Sequence, residues 1–381
     1  MSFLSSIVGH PAQRLAIVDG EKAYSYGDIV QQARCLAALL KAEGVVPGEA
    51  VACIAFERGS VIITMLGIWL AGAIAVSYNP LLMRTVLKEH LGKLGGERLV
   101  SGSPEFEDYC TRAELKGLGC ISLGDNYSPL PLKTMPLDQC AMIQCLGQEA
   151  EALKAVSYSF RALAARANIL GRVWAVQPGD RVFSMMPFSH AFGLFGVLAV
   201  MAAGATCQLI ARGDGYRSGF DHNMPQLVIT DYPEALSMMG YWQTVTRHQA
   251  TGHCLKLAMV DSSWKVLPEI ITKGSEADRL CLMAGYGLAE TGALFSPGSS
   301  DLCSRGVEAQ LLPGVSIRLV DEQGKVTQSG PGILEVRSPQ LFSEYSDNAS
   351  LTRSVFNHGW FTTGKYAELL QNGACVLLEE S

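Results

Sequence analysis

Ser189 and His190 are adjacent in this chain and Asp261 lies farther along, so a hydroxyl, an imidazole and a carboxylate are present for a nucleophilic relay. Such a relay needs its serine on a Gly-x-Ser-x-Gly elbow that exposes the oxygen. No elbow surrounds Ser189 and no spacing ties it to Asp261, so the relay is not supported. Cys145 offers a thiol as acyl acceptor, but reads better as a buried small hydrophobe. The 11 cysteines are scattered, with no CxxC pair and no Cys/His cluster at zinc spacing. They are expected to be reduced thiols of a cytosolic protein. The most informative run is Tyr286-Gly287-Leu288-Ala289-Glu290-Thr291, an aromatic ring, a glycine turn and a carboxylate within six residues.

At 381 residues the chain is long enough for a large core and two or more subdomains. It is 48% hydrophobic and 17% charged, with a net charge of -6 and no basic block, which excludes a nucleic-acid partner. The N-terminus, Met1 to Ser5, has neither a basic segment nor a long apolar one, so no signal peptide is expected. Two uncharged stretches, Gly59 to Met83 and Val182 to Ile210, have the apolarity of membrane spans. Their internal Gly and Pro, and His190 in the second, favour buried helix–strand units over membrane spans.

The elements alternate. Ala16 to Val18 and Tyr24 to Tyr26 form a hairpin, and Gly27-Asp28 can cap an amphipathic helix through Leu40. A strand over 51–55, a helix over 59–71 and a strand over 73–76 follow. Further strands are expected at 98–101, 120–123, 208–210 and 227–229. Apolar strands alternating with helices predict a parallel α/β sheet. Near Ser300 the texture changes to short strands with Gly/Pro turns, at 316–320 and 333–336, which predicts antiparallel β. The expected division is therefore an α/β core over 1–300 and a β-barrel-type subdomain over 301–381.

The order of many weak motifs carries a resemblance across nearly the whole chain. Tyr24-Ser25-Tyr26-Gly27-Asp28 opens it, followed by Gly72-Ala73, Asn79-Pro80 and Met186-Pro187-Phe188-Ser189-His190-Ala191-Phe192-Gly193. Gly204-Ala205-Thr206 and the Tyr286 run come next. Pro313-Gly314-Val315, Gly332 to Val336, Tyr345-Ser346-Asp347 and Asn357 to Gly364 close the series. Together they resemble the adenylate-forming (ANL) superfamily, which includes acyl- and aryl-CoA synthetases. The resemblance implies an acyl-CoA synthetase-like large domain: two mostly parallel sheets sandwiched by helices, plus a small antiparallel β-barrel. The family's mobile C-terminal domain would begin near Ser381, so only the large part is expected here.

The family joins a carboxylate to ATP as an acyl-adenylate and passes the acyl group to a thiol. Its phosphate loop needs glycine N–H groups, small hydroxyls, a lysine and magnesium. Anchored on Lys154, the corresponding loop here is Leu146-Gly147-Gln148-Glu149-Ala150-Glu151-Ala152-Leu153-Lys154. It has no Ser or Thr. Gln148 and Glu151 fill both glycine positions, and Gly147 is displaced by one. A like-charge contact at ~4 Å costs about 4 kcal/mol at an effective dielectric near 20, so Glu149 and Glu151 oppose a triphosphate. Residues 149–154 read equally well as a turn of ordinary helix. Lys365 replaces the ribose-binding Asp and has donors only. Ser262, within Asp261-Ser262-Ser263-Trp264, adds side-chain bulk where the family flanks adenine with Gly-Gly-Ala. Ala289 replaces a threonine.

Some positions persist. By the resemblance, Glu290 matches the magnesium ligand and Lys154 the loop lysine. Both read better as a locally bonded carboxylate and a solvated or Glu-paired lysine. The resemblance places His190, Phe192, Tyr232, Gly285, Tyr286 and Leu294 around an acyl pocket. The leading expectation is a degenerate homologue, a pseudoenzyme without ATP or magnesium, that binds an acyl thioester, an acyl carrier protein or an active homologous enzyme. CoA or a carrier's phosphopantetheine would be the cofactor-like ligand. The surface left by the missing domain favours homo- or hetero-oligomers. The alternative is a working enzyme. It would be either a divergent ligase whose C-terminal domain is elsewhere, or an ATP-independent acyl-thioester transfer, condensation or dehydration activity.

Overall fold

A computed structural model describes residues 3–101, 119–122, 127–147, 153–210, 217, 220, 224–248, 255–261, 269, 273, 279–303, 306–321, 323–327, 330–369 and 375–378. Two sheets organise them. The smaller has seven strands, in the order Glu344–Tyr345, Lys154–Ser159, Cys140–Leu146, Ile74–Tyr78, Ala50–Ile54, Arg98–Ser101 and Gly119–Ser122. From Cys140–Leu146 outward its pairs are parallel, while Lys154–Ser159 and Glu344–Tyr345 add antiparallel strands at one edge.

The larger sheet begins in parallel register. Leu15–Asp19, Thr206–Leu209, Arg181–Ser184, Leu227–Ile229, Leu255–Asp261 and Leu280–Leu288 lie side by side. Pairing turns antiparallel at Gly292–Cys303, a strand that runs through residue 300. The β-barrel-type part is thus a curled antiparallel half-barrel continuous with the parallel strands.

Helices between the sheets explain the two uncharged stretches. All residues of Gly59–Ala71 are buried, and the helix packs on strands of both sheets. Ala191–Ala202 lies against Phe160–Val173 and the parallel strands. A helix covered on every side has no polar face to maintain. Among the described residues, no helix is long and apolar enough to cross a membrane.

One boundary differs from expectation. The first long helix spans Tyr26–Ala42 and is capped by Ser25, not by Gly27-Asp28. Ser25 Oγ accepts from Asp28 N at 3.1 Å, while Asp28 Oδ2 accepts from Ser25 N at 2.8 Å. This reciprocal capping box satisfies two otherwise unpaired N–H groups, so the helix starts two residues earlier.

Candidate functional site

The site is built on a hairpin. Leu146 pairs with Lys154, and Cys145 with Ala155, across adjacent antiparallel strands. Gly147 leaves the first strand at φ 111°, a conformation that disfavours side chains. Gln148, Glu149 and Glu151 lie outside the described residues, as does Ser262. After the hairpin, Ser159 caps the helix Phe160–Val173 by accepting from Ala162 N at 3.2 Å.

Beside the hairpin is a cavity of about 270 Å³, lined by Leu146, Ser189, His190, Ala191, Phe192 and the segment 287–290. Two glycines let its walls approach. A Cβ on Gly193 would lie 2.1 Å from the Pro187 carbonyl oxygen, and one on Gly287 would lie 2.2 Å from that of Gly292. His190 is the N-cap of Ala191–Ala202, and its Nδ1 accepts from Phe192 N at 3.3 Å. That bond leaves the ring proton on Nε2 when the imidazole is neutral. The walls are otherwise apolar apart from Ser189 and Glu290. Phe192 is itself buried.

The turn Ala289–Glu290 joins Leu280–Leu288 to Gly292–Cys303 and is held from behind by Arg166. Arg166 is 1% exposed. Its Nη2 donates to Ala289 O at 2.7 Å and to Glu290 O at 3.1 Å, and its Nε donates to Gln340 O at 2.8 Å. The guanidinium stacks 4.4 Å from the Tyr158 ring and 4.7 Å from the Phe195 ring. Tyr158 adds a second donor to Ala289 O at 3.0 Å. Burial pulls the Arg166 pKa below its ordinary value and pushes that of Tyr158 up. Neither residue was singled out from sequence. A signal existed: Arg166 shares the buried face of its helix with Leu163, Ala167 and Leu170, where an apolar residue is the rule.

The expected site residues divide among several places. His190, Phe192, Ala289 and Glu290 meet at the cavity. Gly285, Tyr286 and Leu294 are buried in the two strands flanking the turn, with the Tyr286 ring 6.1 Å from Phe295. Tyr232 opens the helix Tyr232–His248, and its hydroxyl donates to the Glu269 carboxylate. Lys154 is exposed, with Nζ 5.9 Å from the Tyr345 ring centre. Glu290 Oε1 accepts from the Tyr345 hydroxyl at 2.8 Å. Lys365 sits in a bulge of Trp360–Leu369, its N–H donating to Thr363 Oγ1 at 3.1 Å. Among the described residues, no group of three or more His, Cys, Asp or Glu could hold a metal ion.

Cys145 faces a second polar cluster that sequence reasoning missed. His90 Nδ1 accepts from the Tyr78 hydroxyl at 2.9 Å, and Cys145 Sγ lies 3.9 Å from the same nitrogen. His90 Nε2 donates to Asp347 Oδ2 at 3.3 Å, and Asp347 Oδ1 accepts from Ala155 N at 3.4 Å. Burial pushes the Cys145 thiol pKa far up, which favours the inert protonated form. Burial also lowers the His90 pKa, outweighing the opposite pull of Asp347. The folded protein therefore binds this proton less readily than the unfolded chain. This contribution to stability is complete above about pH 6.5, the unfolded value, and is lost as pH falls through the lower folded value. Urea unfolding of the wild type and His90→Phe between about pH 5 and 7.5 tests this. The wild type should lose stability toward the acid end more steeply than the variant, and parallel profiles would refute it.

The fold and cavity define an acyl-CoA synthetase-like large domain. The chain belongs to the AMP-binding enzyme family, whose model matches residues 4–113 and 152–346. It is 23% identical to the mouse mitochondrial malonate–CoA ligase ACSF3, over 93% of this chain and 69% of that protein. Apo MatB from Rhodopseudomonas palustris superposes with a TM-score of 0.86 at 20% identity, covering 99% of this chain and 78% of MatB. The N-terminal domain of FACL13 from Mycobacterium tuberculosis gives a TM-score of 0.81 at 17% identity, covering 99% of this chain and 98% of that domain. At these identities the structural likeness is one of fold.

Proposed function

We propose that this protein binds an acyl group or acyl thioester in the cavity between His190, Phe192 and Glu290, and no longer uses ATP. The observation that carries this reading is the contrast within one site. The cavity beside Leu146 is formed, while the loop leaving Leu146 carries Gln148, Glu149 and Glu151 in place of glycines and hydroxyls. The family model matches on both sides of 114–151 but not across it, and this stretch includes that loop. The remaining nucleotide positions do not fit Mg-ATP. Ala289 has no hydroxyl, Lys365 has no acceptor for a ribose, and Glu290 is already engaged by Tyr345. Function then rests on binding, with an acyl thioester, an acyl carrier protein or a related active enzyme as partner.

Thermal stabilisation tests this directly. A ligand at 100 times its Kd stabilises by about 2.7 kcal/mol. Acyl-CoAs or acyl thioesters should raise Tm, and Mg-ATP should leave it unchanged. Stabilisation by Mg-ATP, or any acid-dependent pyrophosphate exchange, would overturn the proposal in favour of a working ligase.

A further inference from the structure

The acyl-binding reading leaves open how the cavity recognises a carbonyl, and the Arg166 contacts supply an answer that rests on that reading. A trans peptide is planar, so its C=O and N–H point in opposite directions. The Ala289 carbonyl is turned toward Tyr158 and Arg166, neither of which lines the cavity. The N–H of the same peptide belongs to Glu290. It is therefore directed away from Arg166 and Tyr158, and both residues of this peptide, Ala289 and Glu290, line the cavity. Among the described residues, no acceptor takes the Glu290 N–H. Glu290 is half-buried, and an amide donor at a cavity wall without a protein partner is open to a ligand or water acceptor.

We propose that the Glu290 backbone N–H receives the carbonyl oxygen of the bound acyl group. Arg166 and Tyr158 are positioning residues that hold it there. Two donors on the Ala289 oxygen, one of them cationic, draw electron density along the peptide and strengthen its N–H as a donor. The tertiary contacts that lock this peptide come from residues 123 and 131 positions away, so its orientation does not depend on local turn preference. Glu290 then contributes twice. Its amide faces the ligand, while its carboxylate is tied to Tyr345.

The test compares S-butyryl-N-acetylcysteamine with S-butyl-N-acetylcysteamine, which differ only by the carbonyl oxygen. By calorimetric titration the wild type should bind the thioester about 10-fold more tightly, the scale of one good hydrogen bond. Arg166→Met should lose that preference and keep its affinity for the thioether. Tyr158→Phe, which retains the cation, should lose part of it, and Arg166→Lys should restore part. With a ¹³C-labelled carbonyl, the infrared stretch of the bound thioester should shift down in the wild type and return in Arg166→Met. A purely structural role for Arg166 would weaken both probes alike and leave the band unmoved. Equal wild-type affinities, an unshifted band, or a preference that survives in Arg166→Met would overturn the carbonyl-donor proposal alone. Failure of both probes to bind would overturn the acyl-binding reading and this proposal with it.

Discussion

Arg166→Ala is expected to lower the unfolding free energy by about 3–5 kcal/mol, the largest stability effect anticipated for a residue at this site. The guanidinium is buried and, among the described residues, has no carboxylate in direct contact, so backbone carbonyls and ring faces provide its stabilisation. Alanine removes it and leaves the Gln340 oxygen without this donor, while Glu290 O keeps the Phe342 N–H at 2.8 Å. Each buried acceptor left unpaired costs about 1–3 kcal/mol, and the emptied volume adds a cavity term. Arg166→Met refills most of that volume and removes the buried charge, so its loss should be clearly smaller. Chemical denaturation of the three proteins at one pH decides the matter. A loss below about 1 kcal/mol for alanine would show that Arg166 supports little of the fold.

Ala289→Phe is expected to weaken acyl-ligand binding by about 100-fold, or about 2.7 kcal/mol, while leaving the fold intact. Ala289 lies on the turn and lines a cavity of about 270 Å³, so an aromatic ring added there competes with the ligand for the same space. The residue is only half-buried, and its carbonyl, not its methyl, makes the bonds to Arg166 and Tyr158. Stability should therefore change little. Calorimetric titration with an acyl thioester, together with a melting curve, separates the two effects. Undiminished affinity in a well-folded variant would place the ligand somewhere other than this cavity.

Local pattern made much of the fold legible. The helix over 59–71 and the strands over 227–229 and 316–320 lie where the apolar periodicity puts them. The two uncharged stretches are inner helix–strand units because wholly apolar segments of this length suit a site between two sheets. The Ser25 cap was missed because Gly27-Asp28 is also a plausible start, and only the reciprocal bonds to Asp28 decide between them. His190 and Phe192, expected at an acyl pocket, and Ala289 and Glu290, expected at a degenerate nucleotide site, line one cavity.

The buried polar groups of the two clusters could not be found in the same way. Arg166 was hidden in an amphipathic helix, His90 in a short polar one, and Tyr158 in a buried strand. Each acts through a partner more than 100 residues away, such as Arg166 on Glu290 at a separation of 124 and His90 on Asp347 at 257. By itself, the sequence determined the alternation of strands and helices, the family, and the residue types that stand where the family keeps its phosphate loop. Those follow from residue type, spacing and order. Only the tertiary structure decided which way the Ala289–Glu290 peptide faces and which buried groups hold it. Such contacts are made when distant strands and helices pack, and no local pattern encodes them.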